Sequence, residues 1–480
     1  MLHPLLTAGA LLATAPISVE ITVYNANFAL VKEVRQFTLQ ANRQELRVED
    51  VAAQIDPTSV SFRSLTPDSP IEVYEQNYQY DLLSPTSILE KSVGKTIRLH
   101  QLLETGQVVT TEGVLLSSPT AVVNSGGGGY QTYNGLVLRT TDGRIILNPS
   151  GTIEVLEMPR GLISKPTLMW DVAAAKAGLH QVEVAYLTGE ISWSAEYVMT
   201  LDPNDTKANF NGWVTLNNRS GATYENAKLK LIAGDVRRIM PAPRGGFGGG
   251  APRMEMAKAA DQFVEEGLFE YHMYTLQRPA TVRNKETKQI ALLGAEDVAV
   301  RKELIFEGQR SVWQGYGNTY RPGQGYATDP NVKVNIMVEM INSEKNGLGI
   351  PLPKGKVRVY KRDSSGSVQM VGEDLIDHTP REEKIRLYVG DAFDIVGERK
   401  RTDFKIISPR VVQETFEIRL RNRKRVAETV RVVEHAWAEW SILSETMPHK
   451  KTDSNTFEYL VTLQPDKEVV ITYTVQTSWE

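Results

Sequence analysis

No cysteine occurs anywhere in the chain, which excludes disulfides, thiolate nucleophiles, cysteine-ligated zinc and a lipid-bearing cysteine at a mature N-terminus. Stability must come from packing and hydrogen bonds. An excess of one charge is also lacking. The 54 basic and 58 acidic side chains leave a formal charge of −4, too little to draw in DNA, RNA or an anionic membrane over distance. Histidine is scarce: seven copies, at 3, 100, 180, 272, 378, 435 and 449, none within one turn or strand of another. Known zinc and iron motifs place two ligands that close, so no metal is expected.

Long apolar runs are missing too. The only one of note, LHPLLTAGALLATAPI (2–17), is shorter than the roughly 20 residues a membrane-spanning helix needs. It reads as an export signal over residues 1–18, with Ala13 and Ala15 as the small residues of an A-x-A cleavage site. The expected location is therefore periplasmic or extracellular, with no transmembrane span.

What is present is material for several cores. At 480 residues the chain is too long for one core, and 41% hydrophobic with 23% charged side chains is ordinary for a folded protein. The dominant pattern is alternation of apolar and polar residues, which puts one face of a strand inward and the other into solvent. The predicted fold is mainly β, multidomain, with few short helices.

After the signal, residues 19–93 form a β unit, with a turn at Asn25–Asn27 and a short helix opened by Ser84-Pro85 and ended before Gly94. Residues 94–158 hold five or so short runs, separated by turn signals such as Asp142-Gly143, and predict a small barrel-like domain. A β-sandwich region covers 159–240, with Trp193, Tyr197 and Trp213 expected in its core. The glycine- and proline-rich stretch 241–267 reads as a flexible loop followed by a short helix, in which Met256, Ala260 and Phe263 recur at helical spacing and Gly267 ends the turn. A second β region spans 268–405. The last segment, 406–480, with about six strands, predicts an immunoglobulin-like sandwich. In EVVITYTVQTSW, Val469, Ile471, Tyr473 and Val475 share one face; in TFEIRLRN, Phe416, Ile418 and Leu420 do.

Motifs that carry chemistry are few. Gly246-x-Gly248-x-x-Ala251 matches a dinucleotide fingerprint literally, but Pro252 and Arg253 intervene before any helix, so no cofactor is expected. Asp391 and Asp394, three apart in GDAFD, point to opposite faces of a strand and cannot cooperate. A turn made by Gly390 and Asp391, and a pairing of Asp394 with Arg399 or Arg401, is the expected role. No nucleophile elbow or phosphate loop appears, so no catalytic residue is named. Two surfaces remain as binding candidates. One is the aromatic loop with Trp313, Tyr316, Tyr320 and Tyr326 among glycines; the other is the basic patch Arg419, Arg421, Arg423, Lys424 and Arg425.

Several segments, in their order along the chain, carry a family resemblance: ISWSAEY (191–197), WVTLNNRSGATYENAKLKLIAG (213–234), IPLPKGKVRVYKRD (350–363), GDAFD (390–394) and the terminal VVITYTV. The chain resembles the bacterial domain of unknown function 4139 family, related to mucoidy-inhibitor-A-like proteins. The resemblance implies a β-rich, usually exported protein and brings no catalytic residues with it. The heptads of the coiled-coil portion in the mucoidy-inhibitor relatives have no counterpart here. The expectation is a non-catalytic structural or interaction protein of the bacterial cell envelope, without cofactor or nucleic acid, whose partner is an envelope protein or a polysaccharide. The alternatives are polymer binding through the aromatic loop, and a hydrolase using dispersed acidic residues.

Overall fold

A computed structural model describes residues 11–12, 15–124, 131–234, 236–237, 262–308, 332–363 and 365–479. The protein is mainly β, with several sheets, one six-residue α-helix and two short 3-10 turns among the described residues. No helix among them is long and apolar enough to cross a membrane. The chain divides into two compact units, each assembled from three separate stretches: 1–192, 217–230 and 278–287 in the first, 193–216, 231–277 and 288–480 in the second.

In the first unit, the alternating strand Phe28–Leu39 pairs with Ser18–Tyr24 across the expected turn, where Asn27 takes φ 59°, and with Gly178–Gly189 on its other side. A second sheet has the order Leu11–Leu12, Arg43–Glu49, Thr167–Ala174, Ile71–Gln79. The inner faces of the two sheets meet where Phe62 packs 5.0 Å from the fully buried Trp170. Burying such aromatics supplies large apolar area, on the order of 150–250 Å² each.

Residues 96–155 form a five-stranded sheet whose order is Ile145–Leu147, Val137–Thr140, Val108–Ser117, Thr96–Leu102, Thr152–Val155. The path does not close into a barrel. Leu89 of the helix Pro85–Glu90 and Tyr133 of the hairpin strand Gln131–Asn134 pack into its small core with Ile97, Leu99, Leu115, Leu136 and Leu138, so the open face is covered by a helix and a hairpin. The helix begins as the sequence indicates, with the Ser84 hydroxyl accepting from the Ser87 N–H and proline in the first turn.

The second unit is built on one long sheet path. Val368–Ile376, Gly355–Arg362, Ile191–Leu201, Lys207–Asn218 and Glu286–Phe306 lead into Lys333–Ile341, Lys384–Ser408, Val411–Asn422, Glu468–Ser478 and Glu439–Glu445. Over its last strands a second layer is laid: Glu428–His435 runs parallel to Leu304–Phe306 and antiparallel to Thr456–Leu463. The two layers enclose Phe416, Ile418, Leu420, Val430, Tyr459 and Ile471 in one core, which is a sandwich with the inward faces that the alternation specifies. Trp193 and Tyr197 are buried in this unit as expected, whereas Trp213 is only half-buried.

One element departs from its expectation. Phe263–Leu268, placed by spacing in a helix, is a strand that pairs antiparallel with Tyr271–Leu276. A four-residue spacing of apolar side chains is too short a record to distinguish a helix from a strand, and the adjoining alternating run YHMYTL supplies a partner for pairing. The rest of the glycine-rich stretch, 238–261, lies outside the described residues, as does the glycine run 126–129.

The segment IPLPKGK shows why its glycine is there. Leu352 bridges Thr379, the Pro351 carbonyl accepts from the Tyr274 hydroxyl (2.8 Å), and the Pro353 carbonyl accepts from the Tyr197 hydroxyl (2.8 Å). Gly355 then pairs with Ala195 in a parallel ladder so close that a Cβ on it would lie 2.2 Å from the Ala195 carbonyl oxygen. Gly355→Ala is therefore expected to cost about 1–3 kcal/mol by overpacking. Gly267→Ala, where a Cβ meets nothing within 4 Å, should be neutral. Urea midpoints of the two variants check this, and equal midpoints would contradict it.

Candidate ligand-binding clefts

The strand Ile71–Gln79 is the edge of its sheet, paired only to Thr167–Ala174. It is exposed along most of its length. Edge strands of this kind leave one row of backbone groups open, and one cleft lies at the C-terminal end of this one and another on its outer face.

At its C-terminal end the chain makes a cradle. Leu82 bridges Ile163, the Leu83 N–H donates to the Ile163 carbonyl (2.9 Å), and the Ile163 N–H donates to the Asp81 carbonyl (3.1 Å). Immediately after, the Ser84 cap starts the helix. Tyr78, Gln79, Tyr80, Asp81, Ser84 and Ser87 thus surround a cleft of about 620 Å³, within the range of small-molecule sites. The Tyr78 hydroxyl donates to the carbonyls of Ala52 and Ala53 (3.1 and 3.0 Å), which fixes its ring, and burial pushes its pKa up. Tyr80 stacks on it with centroids 5.6 Å apart and is itself 70% exposed. Asp81 is ion-paired to Lys91 at 2.5 Å, and the Ser84 and Ser87 hydroxyls lie 2.8 Å apart.

The outer face of the same sheet carries a smaller cleft of about 330 Å³. There Asp171 stands in register between Glu45 and Glu75 on its two neighbours. Three carboxylates in one cross-strand row repel one another unless cations intervene. Arg43 does so, reaching Asp171 at 2.5 and 2.7 Å and lying over the Tyr74 ring, while Arg47 pairs with Glu45 at 2.6 Å. The hydrogen bond from Arg43 holds the Asp171 carboxyl below the usual range. A general acid in glycoside hydrolysis needs the opposite shift, so Asp171 is unsuited to that role.

In the second unit a cleft of about 500 Å³ is lined by His272, Glu344, Pro351, Pro380, Arg381 and Glu382. His272 Nδ1 lies 2.7 Å from Glu265. The walls are tied together by the buried Asn342, whose amide donates to the carbonyls of Ile350 (2.8 Å), Thr379 (3.3 Å) and Pro380 (2.9 Å).

The residues singled out by sequence fall as follows. Trp313, Tyr316, Tyr320 and Tyr326 lie outside the described residues, as do Gly246, Gly248, Ala251 and His3. In the basic patch, Arg419 meets Glu417 (2.7 Å) and Glu468 (3.1 Å), Arg421 meets Glu398 (3.3 Å) and Lys424 meets Glu428 (2.8 Å), while Arg423 and Arg425 are exposed. Its charge is thus largely offset within the sheet. Four histidines sit on glutamates at 2.7–3.0 Å: His100 on Glu154, His272 on Glu265, His435 on Glu307 and His449 on Glu445. No group of three metal-ligating side chains occurs among the described residues.

The expected pairing of Asp394 with Arg399 or Arg401 does not form. Separations of five and seven residues put those arginines on the opposite face of the strand Lys384–Ser408. Arg399 turns inward to Glu434 (2.9 Å) and Arg401 to Glu414 (2.9 Å). Asp391 instead accepts from Asn335 (2.7 Å), Tyr388 (2.9 Å) and Lys333 (2.8 Å). Burial raises its pKa, but these donors outweigh burial and lower it overall. Sequence reading missed Tyr78 and Tyr80, although IEVYEQNYQYDLL places three tyrosines within seven residues. Compared with known proteins, the chain matches no family model and no curated protein.

Proposed function

We propose that this chain is a non-catalytic interaction protein of the bacterial cell envelope, akin to the domain of unknown function 4139 family, which holds its ligand at the cradle formed by residues 78–87. The observation that carries the reading is the Tyr78–Tyr80 stack: a fixed inner ring supports an exposed outer one above a concave, hydrogen-bonding wall. Large amphipathic rings presented in this way are the usual anchors of recognition surfaces. The carboxylate at this cleft is already neutralised by a lysine and its hydroxyls are bonded to each other, which suits recognition better than group transfer. The apolar segment 2–17 supports export.

Expression of the full chain with a C-terminal tag, followed by fractionation and N-terminal sequencing, tests the location. The expected product begins just after Ala15 and is recovered outside the cytoplasm. An uncleaved cytoplasmic product would overturn the envelope assignment.

A further inference from the structure

We infer that the Tyr78–Tyr80 cradle is a glycan site that takes an uncharged pyranose chain. The inference rests on the interaction-protein reading above and names its ligand class.

A pyranose ring has an apolar face of C–H groups and an equatorial rim of hydroxyls. Its binding site needs a flat, accessible ring and, at right angles to it, groups that both donate and accept hydrogen bonds. Tyr80 supplies the first: 70% exposed, yet held in place by stacking on Tyr78, whose own hydroxyl is bonded to Ala52 and Ala53. The platform is therefore ordered before the ligand arrives, which lowers the entropic cost of binding. The rim supplies the second through the Gln79 amide, the Asp81 carboxylate and the Ser84 and Ser87 hydroxyls around the same cleft.

Charge decides among ligand classes. Asp81 is offset by Lys91 at 2.5 Å, so the rim has no surplus of either sign. A nucleotide or phosphorylated ligand would need unpaired cations, and the lysine at this wall is already engaged. An uronic-acid polymer meets the same obstacle. Neutral hexoses and N-acetylhexosamines fit, because each hydroxyl or acetamido group can exchange partners with the existing side-chain pairs. Backbone pairing at Ile163 holds the Asp81–Leu83 segment rigid, so these partners keep their spacing.

The test uses the full mature chain with cellohexaose, chitohexaose and maltohexaose as probes in titration calorimetry. At least one should bind. Tyr80→Ala should weaken that binding by about tenfold or more, the loss of one stacking ring, while Tyr80→Trp keeps it within about threefold. Because Tyr80 is exposed, both variants should match the parent in thermal melting, which separates lost binding from lost folding. No binding of any of the three probes, or Tyr80→Ala binding as tightly as the parent, would overturn the glycan site. In that event, a cleaved chain recovered from the envelope would leave the envelope assignment standing. An uncleaved cytoplasmic chain that still binds a probe through Tyr80 would do the reverse.

Discussion

Replacing Arg399 by methionine should destabilise the C-terminal sandwich by about 3–5 kcal/mol, the cost of leaving one buried charge without its partner. The side chains of Arg399 and Glu434 are 1% and 0% exposed, with Arg399 Nε 2.9 and 3.1 Å from the two carboxylate oxygens. The Tyr473 hydroxyl donates to Glu434 and accepts from Arg399 Nη2 at 3.2 Å, and the guanidinium lies 3.8 Å above the Phe416 ring. Burial acts to lower the Arg399 pKa, and the charges and hydrogen bonds of Glu434 and Tyr473 together outweigh it and raise it overall, while burial drives the Tyr473 pKa well above its usual value. The group is thus satisfied on every side, and Gly308 passes so close that a Cβ there would lie 2.6 Å from Arg399 Cδ.

The informative comparison is the double variant Arg399→Met with Glu434→Leu. Removing both charges also removes both desolvation costs, so it should recover most of what either single change loses. Hydrogen exchange along Val411–Asn422 and Glu468–Ser478 reads the local stability of this sandwich directly. A single variant costing less than about 1 kcal/mol, the scale of an exposed pair, would show that the cluster is not the buried unit described.

Arg399 also marks where sequence reading stops. Alternation in Lys384–Ser408 is enough to place Ile395, Gly397 and Arg399 on one face, and parity alone separates them from Asp394. Nothing local says that Glu434 and Tyr473, 35 and 74 residues away, will meet that arginine. Periodicity reports faces and leaves partners open, because pairing is decided by which strands become neighbours. The inward sets of TFEIRLRN and VVITYTVQTS were therefore legible, and their register was not. The five-stranded sheet at 96–155 makes the same point: its turns and strands were readable, but the covering of its open face depends on a helix and a hairpin folding over the core. The two units draw on separate stretches of chain, so composition shifts along the sequence do not outline them. At the candidate cleft, the tyrosines were visible, and the wall opposite them, closed by the bridge between Leu82 and Ile163, was not.

Asn342→Ala should cost about 3 kcal/mol or more and open the cleft of the second unit locally, because it strands several buried backbone groups at roughly 1–3 kcal/mol each. Its amide serves the carbonyls of Ile350, Thr379 and Pro380, and its carbonyl oxygen accepts from the Gly349 N–H at 3.1 Å. The same device recurs at the ends of two other strands. Asn218 donates to Ala222 (2.9 Å) and Val282 (3.2 Å) and accepts from the Ser220 N–H, and Asn422 donates to Val426 (2.8 Å) and Leu463 (3.1 Å) and accepts from the Lys424 N–H. All three asparagines are fully buried. Each stands at or just past the end of a strand where the chain is still inside, so a side-chain amide takes over bonding that neighbouring strands no longer provide. Aspartate has the same shape and lacks the donors, so Asn342→Asp would set a carboxylate against three carbonyls and should be worse than alanine. Hydrogen exchange at 343–355 and 377–383, with thermal melting, distinguishes the two variants. An aspartate tolerated as well as alanine would mean that the amide donors are not what holds these loops.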